Sequence, residues 1–141
     1  MIHYKSTEEI ELMRESCALV SSTLALVATF LKAGMSTLEV DGLAEEFIRD
    51  NKATPSFKNF NGYPYATCIS VNDAIVHGFP QKALLKEGDI VSVDIGVYRN
   101  GFHGDSAYTF AIGQVSDDIR QLLKAMNKSS DLVSCTYFTQ S

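Results

Sequence analysis

Cysteine is scarce in this sequence, and the three residues Cys17, Cys68 and Cys135 stand far apart among 141 positions. The chain has no C-x-x-C pair, which argues against a zinc knuckle built from paired cysteines. An odd number of dispersed cysteines is typical of free thiols in a reducing compartment. The polar segment 1–9 also lacks the apolar core of a signal peptide. We therefore expect a cytoplasmic protein.

Several other features are missing. The net charge of −5 offers no basic footprint for nucleic acid, so no nucleic-acid partner is expected. The most apolar stretch, Ala18 to Leu31, is interrupted by Ser21, Ser22 and Thr23 and is too short to span a bilayer, so no membrane partner is expected. The chain has no Gly-rich phosphate loop, no G-x-S-x-G nucleophile elbow and no H-E-x-x-H zinc helix.

The first fifty residues predict two helices. Ser6 with Glu9, and Ser36 with Glu39, have the spacing of capping boxes, in which a hydroxyl and a carboxylate satisfy the free amides of a first turn. Gly34 suits the left-handed position that follows a helix. The apolar residues recur every three or four positions and predict one buried stripe on each helix. These residues are Ile10, Met13, Cys17, Val20, Leu24, Val27 and Leu31 in the first helix, and Val40, Leu43, Ala44, Phe47 and Ile48 in the second.

Beyond the second helix, the pattern predicts an aromatic loop followed by an antiparallel sheet. The turn pair Asn100-Gly101 is the strongest short hairpin signal in the chain. Two helices followed by strands and a further helix indicate an α+β fold, an antiparallel sheet with two packed helices. The predicted elements are the loop Asn51 to Pro64, a strand over Ala66 to Val71 that continues at Ala74 to His77, strands over Ile90 to Tyr98 and Phe102 to Ile112, and a helix from Ser116 to about Met126.

Two aspartates stand inside the predicted hairpin, where aspartate is normally depleted. If Asn100 and Gly101 are the two central turn residues, Gly96 faces Asp105 and Asp94 faces Ala107. The two aspartates then share one sheet face as diagonal neighbours, with Gly96 leaving room beside Asp105. A divalent metal between the carboxylates would relieve their repulsion. The alternative is a polar, solvated sheet face without a metal.

Other residues are candidates for a functional site, and each has a structural role as its alternative. His77, in a turn with Gly and Pro, is a ligand or a proton carrier, or else a structural residue. His103 is predicted on the face of Asp105, with the same structural alternative. Phe60, Tyr63 and Cys68 form a small-ligand pocket or simply fill the core.

Three segments of the chain stand out as motifs, 72–80 (NDAIVHGFP), 86–96 (KEGDIVSVDIG) and 100–107 (NGFHGDSA). Taken together, they resemble type I methionine aminopeptidases, and the resemblance runs from about residue 3 to about residue 126. It implies the amino-terminal half of a pita-bread fold, whose two α+β halves are related by an approximate twofold axis. It also implies that Asp94 chelates one metal, that Asp105 bridges two metals, and that His77 contacts the substrate and helps stabilise the reacting amide. Phe60, Tyr63 and Cys68 match positions around the methionine side chain.

The implied activity is removal of the initiator methionine from nascent polypeptides by a monomeric enzyme with one or two Co, Mn, Fe or Zn ions. A proline-specific member of the same fold is an alternative, but the turn from His77 to Pro80 favours the methionine branch. The family's remaining ligands, one His and two Glu, are absent. We therefore expect residues 1–128 to be an amino-terminal half with little activity alone, and residues 129–141 to be a divergent, poorly ordered tail. The alternative function is a non-catalytic half-domain, at most a weak metal-binding or interaction module.

Overall fold

The computed structural model describes the backbone of residues 4–138 and the side chains of residues 4–128. It confirms the predicted α+β order. The side chains of the predicted tail, 129–141, lie outside the described residues, so the division at residue 128 stays a prediction. The elements are α1 (Thr7–Phe30), α2 (Thr37–Asp50), β1 (Thr54–Pro55), a 3₁₀ turn (Phe60–Gly62), β2 (Thr67–Val71), β3 (Ile90–Arg99), β4 (Phe102–Ala111) and α3 (Asp117–Phe138).

Both predicted capping boxes are present. Glu9 N donates to Ser6 Oγ at 3.2 Å, and Ser6 N donates to Glu9 Oε2 at 2.8 Å. The same exchange joins Ser36 and Glu39 at 3.2 and 2.7 Å. Gly34 follows α1 with a φ of 87°, as expected for a left-handed residue after a helix. Local side-chain chemistry therefore determines where the two helices begin.

Strand β3 is the centre of the sheet. It pairs antiparallel with β4 along its whole length, and β1 and β2 pair antiparallel with its other edge. Successive side chains of a strand point to opposite faces. The fully buried residues Val91, Val93, Ile95 and Val97 of β3 face the core, where they join Val40, Ala44 and Ile48 of α2 and the buried side chains of α1. The opposite face of β3 carries Ser92 and Asp94, and because it does not face the core, a site can form there.

The predicted apolar stripe of α1 is partly wrong. Val20 and Val27 are buried, but Ile10 and Cys17 are exposed, and the small polar residues Ser16 and Thr23 are fully buried. The buried face is rotated because α1 lies against the backbone of the hairpin, where only small side chains fit. Within residues 4–138, α1 is the one helix whose length and composition would allow it to cross a membrane, which is weak evidence because core helices pass the same test.

The predicted continuation of β2 through Ala74 to His77 is also wrong. This segment is an irregular loop that follows a turn at Asn72 and Asp73. The β-branched residues Ile75 and Val76 are 87% and 66% exposed. Their high β propensity does not make them a strand, because they have few packing contacts. The loop instead returns its backbone to β2 at Gly78, which places His77 beside the sheet.

Candidate metal and ligand site

The hairpin has the predicted register. Asn100 and Gly101 have φ values of 52° and 87°, the positive values that a two-residue turn of this kind requires. Gly96 pairs with Asp105 and Asp94 pairs with Ala107, so the two aspartates share one face as diagonal neighbours. The space above Gly96 is not open, however. A Cβ at Gly96 would lie 2.7 Å from the ring of Phe57, which occupies that space.

Helix α1 holds the hairpin from the opposite face. Ser16 Oγ donates to the carbonyl oxygens of Arg99 and Phe102, at 3.2 and 3.0 Å, on both sides of the turn. A Cβ at Gly104 would lie 2.6 Å from backbone atoms of Ser16 and Cys17. Direct backbone contact at Gly104 therefore fixes the position of the next residue, Asp105.

Asp94 is electrostatically unfavourable in its position. Its Oδ1 atom is buried and has no hydrogen-bond partner among the described residues. Burial raises the pKa of Asp94 to about 6, together with repulsion by Asp105 and proton sharing with it, while His77 acts in the opposite direction. A buried, unpartnered carboxylate oxygen beside a second carboxylate is the arrangement that a cation would stabilise.

All the predicted site residues except the candidate His103 line one cavity of about 550 Å³. This size falls within the range of small-molecule sites. Phe57 and Phe79 also line the cavity and were not predicted as site residues. The sequence signals for them were the glycine in the middle of a strand at Gly96, which Phe57 contacts in the fold, and the glycine at Gly78, which Phe79 follows in the chain. The predicted residues in the cavity wall are Phe60, Tyr63, Cys68, His77, Asp94 and Asp105.

Aromatic rings form the apolar end of this cavity. Tyr63 meets Phe79 edge to face with ring centroids 5.0 Å apart, and Tyr65 lies 5.9 Å from Tyr63 in the same way. Edge-to-face pairs of this kind are favourable beyond their buried area. The Tyr63 hydroxyl donates to the Thr67 carbonyl oxygen at 2.9 Å, so the ring is held by β2.

Cys68 lies directly opposite Asp94 across the β2–β3 pair. Burial raises the pKa of its thiol, and the negative charges of Asp94 and Asp105 act in the same direction. A thiol with a raised pKa stays protonated at neutral pH and is a poor nucleophile. Cys68 is therefore suited to line the cavity and not to react.

A buried carboxylate anchors the start of β2. Asp41 of α2 accepts hydrogen bonds from the amides of Ala66 and Thr67, at 3.1 and 2.8 Å, and from the Thr67 hydroxyl at 2.7 Å. All three donors meet the same oxygen, Oδ1. Burial raises the pKa of Asp41, and these hydrogen bonds oppose that rise. The contact fixes the strand end from which Cys68 extends.

The two histidines have different surroundings. His77 has a φ of 56°, a left-handed conformation that costs a non-glycine residue on the order of 1–3 kcal/mol. It lines the aromatic cavity and also a second cavity of about 590 Å³ that continues past Asp94 toward α3. His103 lines neither cavity. Its Nδ1 lies 2.8 Å from Ser56 Oγ, and its ring contacts that of Tyr98 at a tilt of 44°, which favours the structural alternative.

The two carboxylates fit a divalent cation in part. Oxygen ligands suit Mg²⁺, Ca²⁺ and Mn²⁺, and Asp94 and Asp105 supply such oxygens on one face. No group of three or more His, Cys, Asp or Glu side chains that could hold a metal exists among the described residues. A cation bound here would therefore have two carboxylate ligands and otherwise water, unless ligands came from elsewhere.

Comparison with known proteins gives consistent matches. The family described as Metallopeptidase family M24 matches residues 11–134. A methionine aminopeptidase from Clostridium perfringens (strain 13 / Type A) is 46% identical over 129 residues, which is 92% of this chain and 52% of that protein. Methionine aminopeptidase 1 of Bacillus subtilis (strain 168) is 45% identical with the same coverage.

A solved structure supports the same relationship. The crystal structure of methionine aminopeptidase from Thermotoga maritima superposes with a TM-score of 0.87 at 37% identity, covering 91% of this chain and 52% of that one. The predicted pita-bread fold is thus confirmed over the part that this chain includes. The chain spans about half the length of the curated relatives it matches.

Proposed function

Because the chain belongs to metallopeptidase family M24, we propose that it carries about half of a methionine aminopeptidase site. This half would comprise two metal-binding carboxylates, a histidine and the pocket for the methionine side chain. The observation that carries the proposal is the meeting of Asp94, Asp105 and His77 with an aromatic pocket in one cavity. The matched relatives are named methionine aminopeptidases, which favours this activity over a proline-specific one.

Asp94 and Asp105 would hold the metal. The buried, unpartnered Oδ1 of Asp94 supports this role, because a cation would supply the missing partner and neutralise the repulsion between the carboxylates. A bound divalent cation would supply the Lewis acidity that peptide hydrolysis needs near neutral pH. The hairpin and α1 would keep the two carboxylates at a fixed separation, since Ser16 and Gly104 bring α1 into direct contact with the hairpin backbone.

The aromatic end of the cavity would bind the methionine side chain. Phe60, Tyr63 and Phe79 offer ring edges and faces, and methionine sulfur makes favourable contacts with aromatic rings. The protonated Cys68 thiol would line the pocket between these rings and Asp94. An unbranched thioether fits such a pocket, whereas a charged side chain would lose its hydration there.

His77 would act at the mouth of the pocket. It lies close enough to Asp94 to lower the pKa of that carboxyl, so its imidazole is within electrostatic reach of the carboxylates. An imidazole in this position can exchange a hydrogen bond with the amide next to the bound methionine. Its role would be to orient and stabilise that amide during cleavage.

The substrate would be the amino terminus of nascent polypeptides in the cytoplasm, and the metal would be one or two Co, Mn, Fe or Zn ions. The full-length enzyme would act as a monomer. The acidic net charge of −5 is in keeping with a partner that is not nucleic acid.

A second candidate function is a non-catalytic half-domain that binds metal weakly or contacts another protein. Asp94 and Asp105 belong to no group of three or more His, Cys, Asp or Glu side chains that could hold a metal, within the part of the chain that the structure describes, and this favours the second candidate. Two carboxylates leave a cation mostly hydrated and weakly held. Under this alternative the pocket would still bind an apolar side chain, but no peptide would be cleaved.

Metal binding by the purified 141-residue chain tests the proposal. Electron paramagnetic resonance of free Mn²⁺ measures how much ion the chain removes from solution at pH 7. We expect weak binding that the double variant Asp94→Asn, Asp105→Asn abolishes. The double variant Asp50→Asn, Asp73→Asn removes the same charge at exposed positions and is expected to bind as the unaltered chain does. Equal binding by all three chains would reject the ligand assignment.

Activity tests whether the two carboxylates of this chain suffice for cleavage. With Mn²⁺ or Co²⁺ present, we expect the 141-residue chain alone to release little or no methionine from Met-Ala-Ser, because it offers only two carboxylate ligands in the described part. Robust release of methionine would show that two carboxylates suffice and would contradict this reasoning.

A further inference from the structure

The backbone of His77 is held in an unfavourable conformation. Its φ of 56° lies in the left-handed region, which is uncommon for residues other than glycine. Such a conformation persists only where the surrounding structure holds it in place. Because the His77 side chain is exposed between the two cavities, packing of the imidazole does not supply that restraint.

The restraint comes from the next residue. Gly78 exchanges backbone contacts with β2, since Ile69 N donates to the Gly78 carbonyl oxygen at 2.9 Å. The Gly78 amide donates to Ser70 Oγ at 3.0 Å. A Cβ at Gly78 would lie only 2.2 Å from the Ile69 carbonyl oxygen, so the glycine backbone lies directly on the strand. The loop is thus attached to β2 immediately after His77.

Ser70 supplies the side-chain part of this attachment. It is 4% exposed and lies opposite Ser92 on the face of the sheet that carries Asp94. A buried hydroxyl without a partner is costly, and the Gly78 amide is the partner that this hydroxyl has. Ser92 resembles Ser70 in position, but its hydroxyl pairs with Thr109 Oγ1 at 2.8 Å and does not contact the loop.

We infer that Ser70 is a positioning residue for His77: its hydroxyl holds the Gly78 amide, and through it the left-handed backbone that presents the imidazole beside Asp94. This inference rests on the proposed function only in taking His77 as the group that meets the substrate. The hydroxyl touches neither substrate nor metal. Its effect is to fix the direction from which the imidazole enters the cavity.

Nuclear magnetic resonance of the metal-free chain in EDTA tests the inference. In Ser70→Ala we expect the Gly78 amide to exchange with solvent at least tenfold faster, and the His77 imidazole signals to move toward those of a free histidine. Ser92→Ala, the matched control, is expected to change neither, and the unfolding midpoints of the two variants should be similar. Unchanged Gly78 exchange and unchanged His77 signals in Ser70→Ala would overturn the inference.

A second pair keeps the test decisive if Ser70→Ala does not fold. Ser70→Thr and Ser70→Val have nearly the same shape and differ in the hydroxyl. Thr is expected to retain slow Gly78 exchange and Val to lose it, and equal behaviour would contradict the role of the hydroxyl. Because no metal is present, failure of the chain to bind Mn²⁺ would reject the proposed function and leave this result unaffected.

Discussion

Replacing Asp94 with asparagine should stabilise the metal-free chain at pH 7, although it removes a proposed metal ligand. The pKa of Asp94 rises from an ordinary 3.8 to about 6 in the folded chain, because of burial and the nearby Asp105. A folded-state pKa above the unfolded value means that the folded chain takes up the proton more readily. Ionised Asp94 therefore destabilises the fold, and this destabilisation develops as the pH rises from about 4 to about 6.

The size of the effect follows from the same values. One pKa unit corresponds to about 1.4 kcal/mol, so a rise of about two units gives an upper limit of about 3 kcal/mol. Asp94 is only partly buried, and solvent screening reduces this to about 1–2 kcal/mol. Asparagine carries no charge, and its amide can donate to Asp105 where the carboxylate was repelled. Asp94→Asn should thus gain about 1–2 kcal/mol at pH 7 and nothing at pH 4.

Urea unfolding followed by far-ultraviolet circular dichroism measures this difference, since the chain has no tryptophan for a fluorescence assay. The midpoints of Asp94→Asn and the unaltered chain are compared at pH 4, 5, 6 and 7 in EDTA. Asp73→Asn is the matched control, because Asp73 is exposed. If Asp94→Asn is less stable than the unaltered chain at pH 7, or if its advantage is the same at pH 4, the reasoning is refuted.

Three further predictions concern the residues that hold the site, and urea unfolding measures each. His77→Gly should be about 1 kcal/mol more stable than His77→Ala, because only glycine adopts a φ of 56° without strain, and equal stability would argue against a strained backbone. Gly104→Ala should lower the free energy of unfolding by about 1–3 kcal/mol, because the added Cβ would lie 2.6 Å from the α1 backbone. Gly42→Ala is the control: its Cβ would meet nothing within 4 Å, and the free energy of unfolding should rise by up to about 1 kcal/mol. Unchanged stability in Gly104→Ala would contradict the contact. Asp41→Ala should cost about 3 kcal/mol by leaving the donors of Ala66 and Thr67 unpaired, whereas Asp41→Asn keeps an oxygen for them and should cost less than about 1 kcal/mol. Similar losses in both Asp41 variants would indicate that its charge matters more than its hydrogen bonds.

The hairpin was predictable because its determinants are local. Asn100 and Gly101 fix which two residues form the turn, and strand alternation then assigns every side chain to a face. The positions of Asp94 and Asp105 on one face followed from these two facts alone. The capping boxes at Ser6 and Ser36 were predictable for the same reason, since each depends on residues three positions apart.

Features that depend on distant backbone contacts were not predictable. The buried face of α1 is rotated because Ser16 must lie against the hairpin at Gly104, and apolar periodicity does not reveal that need for a small residue. The exposed pair Ile75 and Val76 has the composition of a strand, but β2 receives the backbone of Gly78 instead. At both places, tertiary contacts override the secondary-structure propensity of the residues.

The pocket was predictable only in part. Phe60, Tyr63 and Cys68 were expected near the carboxylates, partly through a family resemblance, and they line the same cavity as Asp94. Phe57 was missed because its position depends on Gly96, to which it is joined only by the fold. A glycine in the middle of a strand was the available signal, since it often marks the close approach of another group.

We propose that Asp94 and Asp105 share a cation, and anomalous diffraction from crystals soaked in Mn²⁺ can locate that cation. A peak within coordination distance of both carboxylates, absent from crystals of Asp94→Asn, is the predicted result. No peak at the hairpin, or a peak that persists in Asp94→Asn, would contradict the claim.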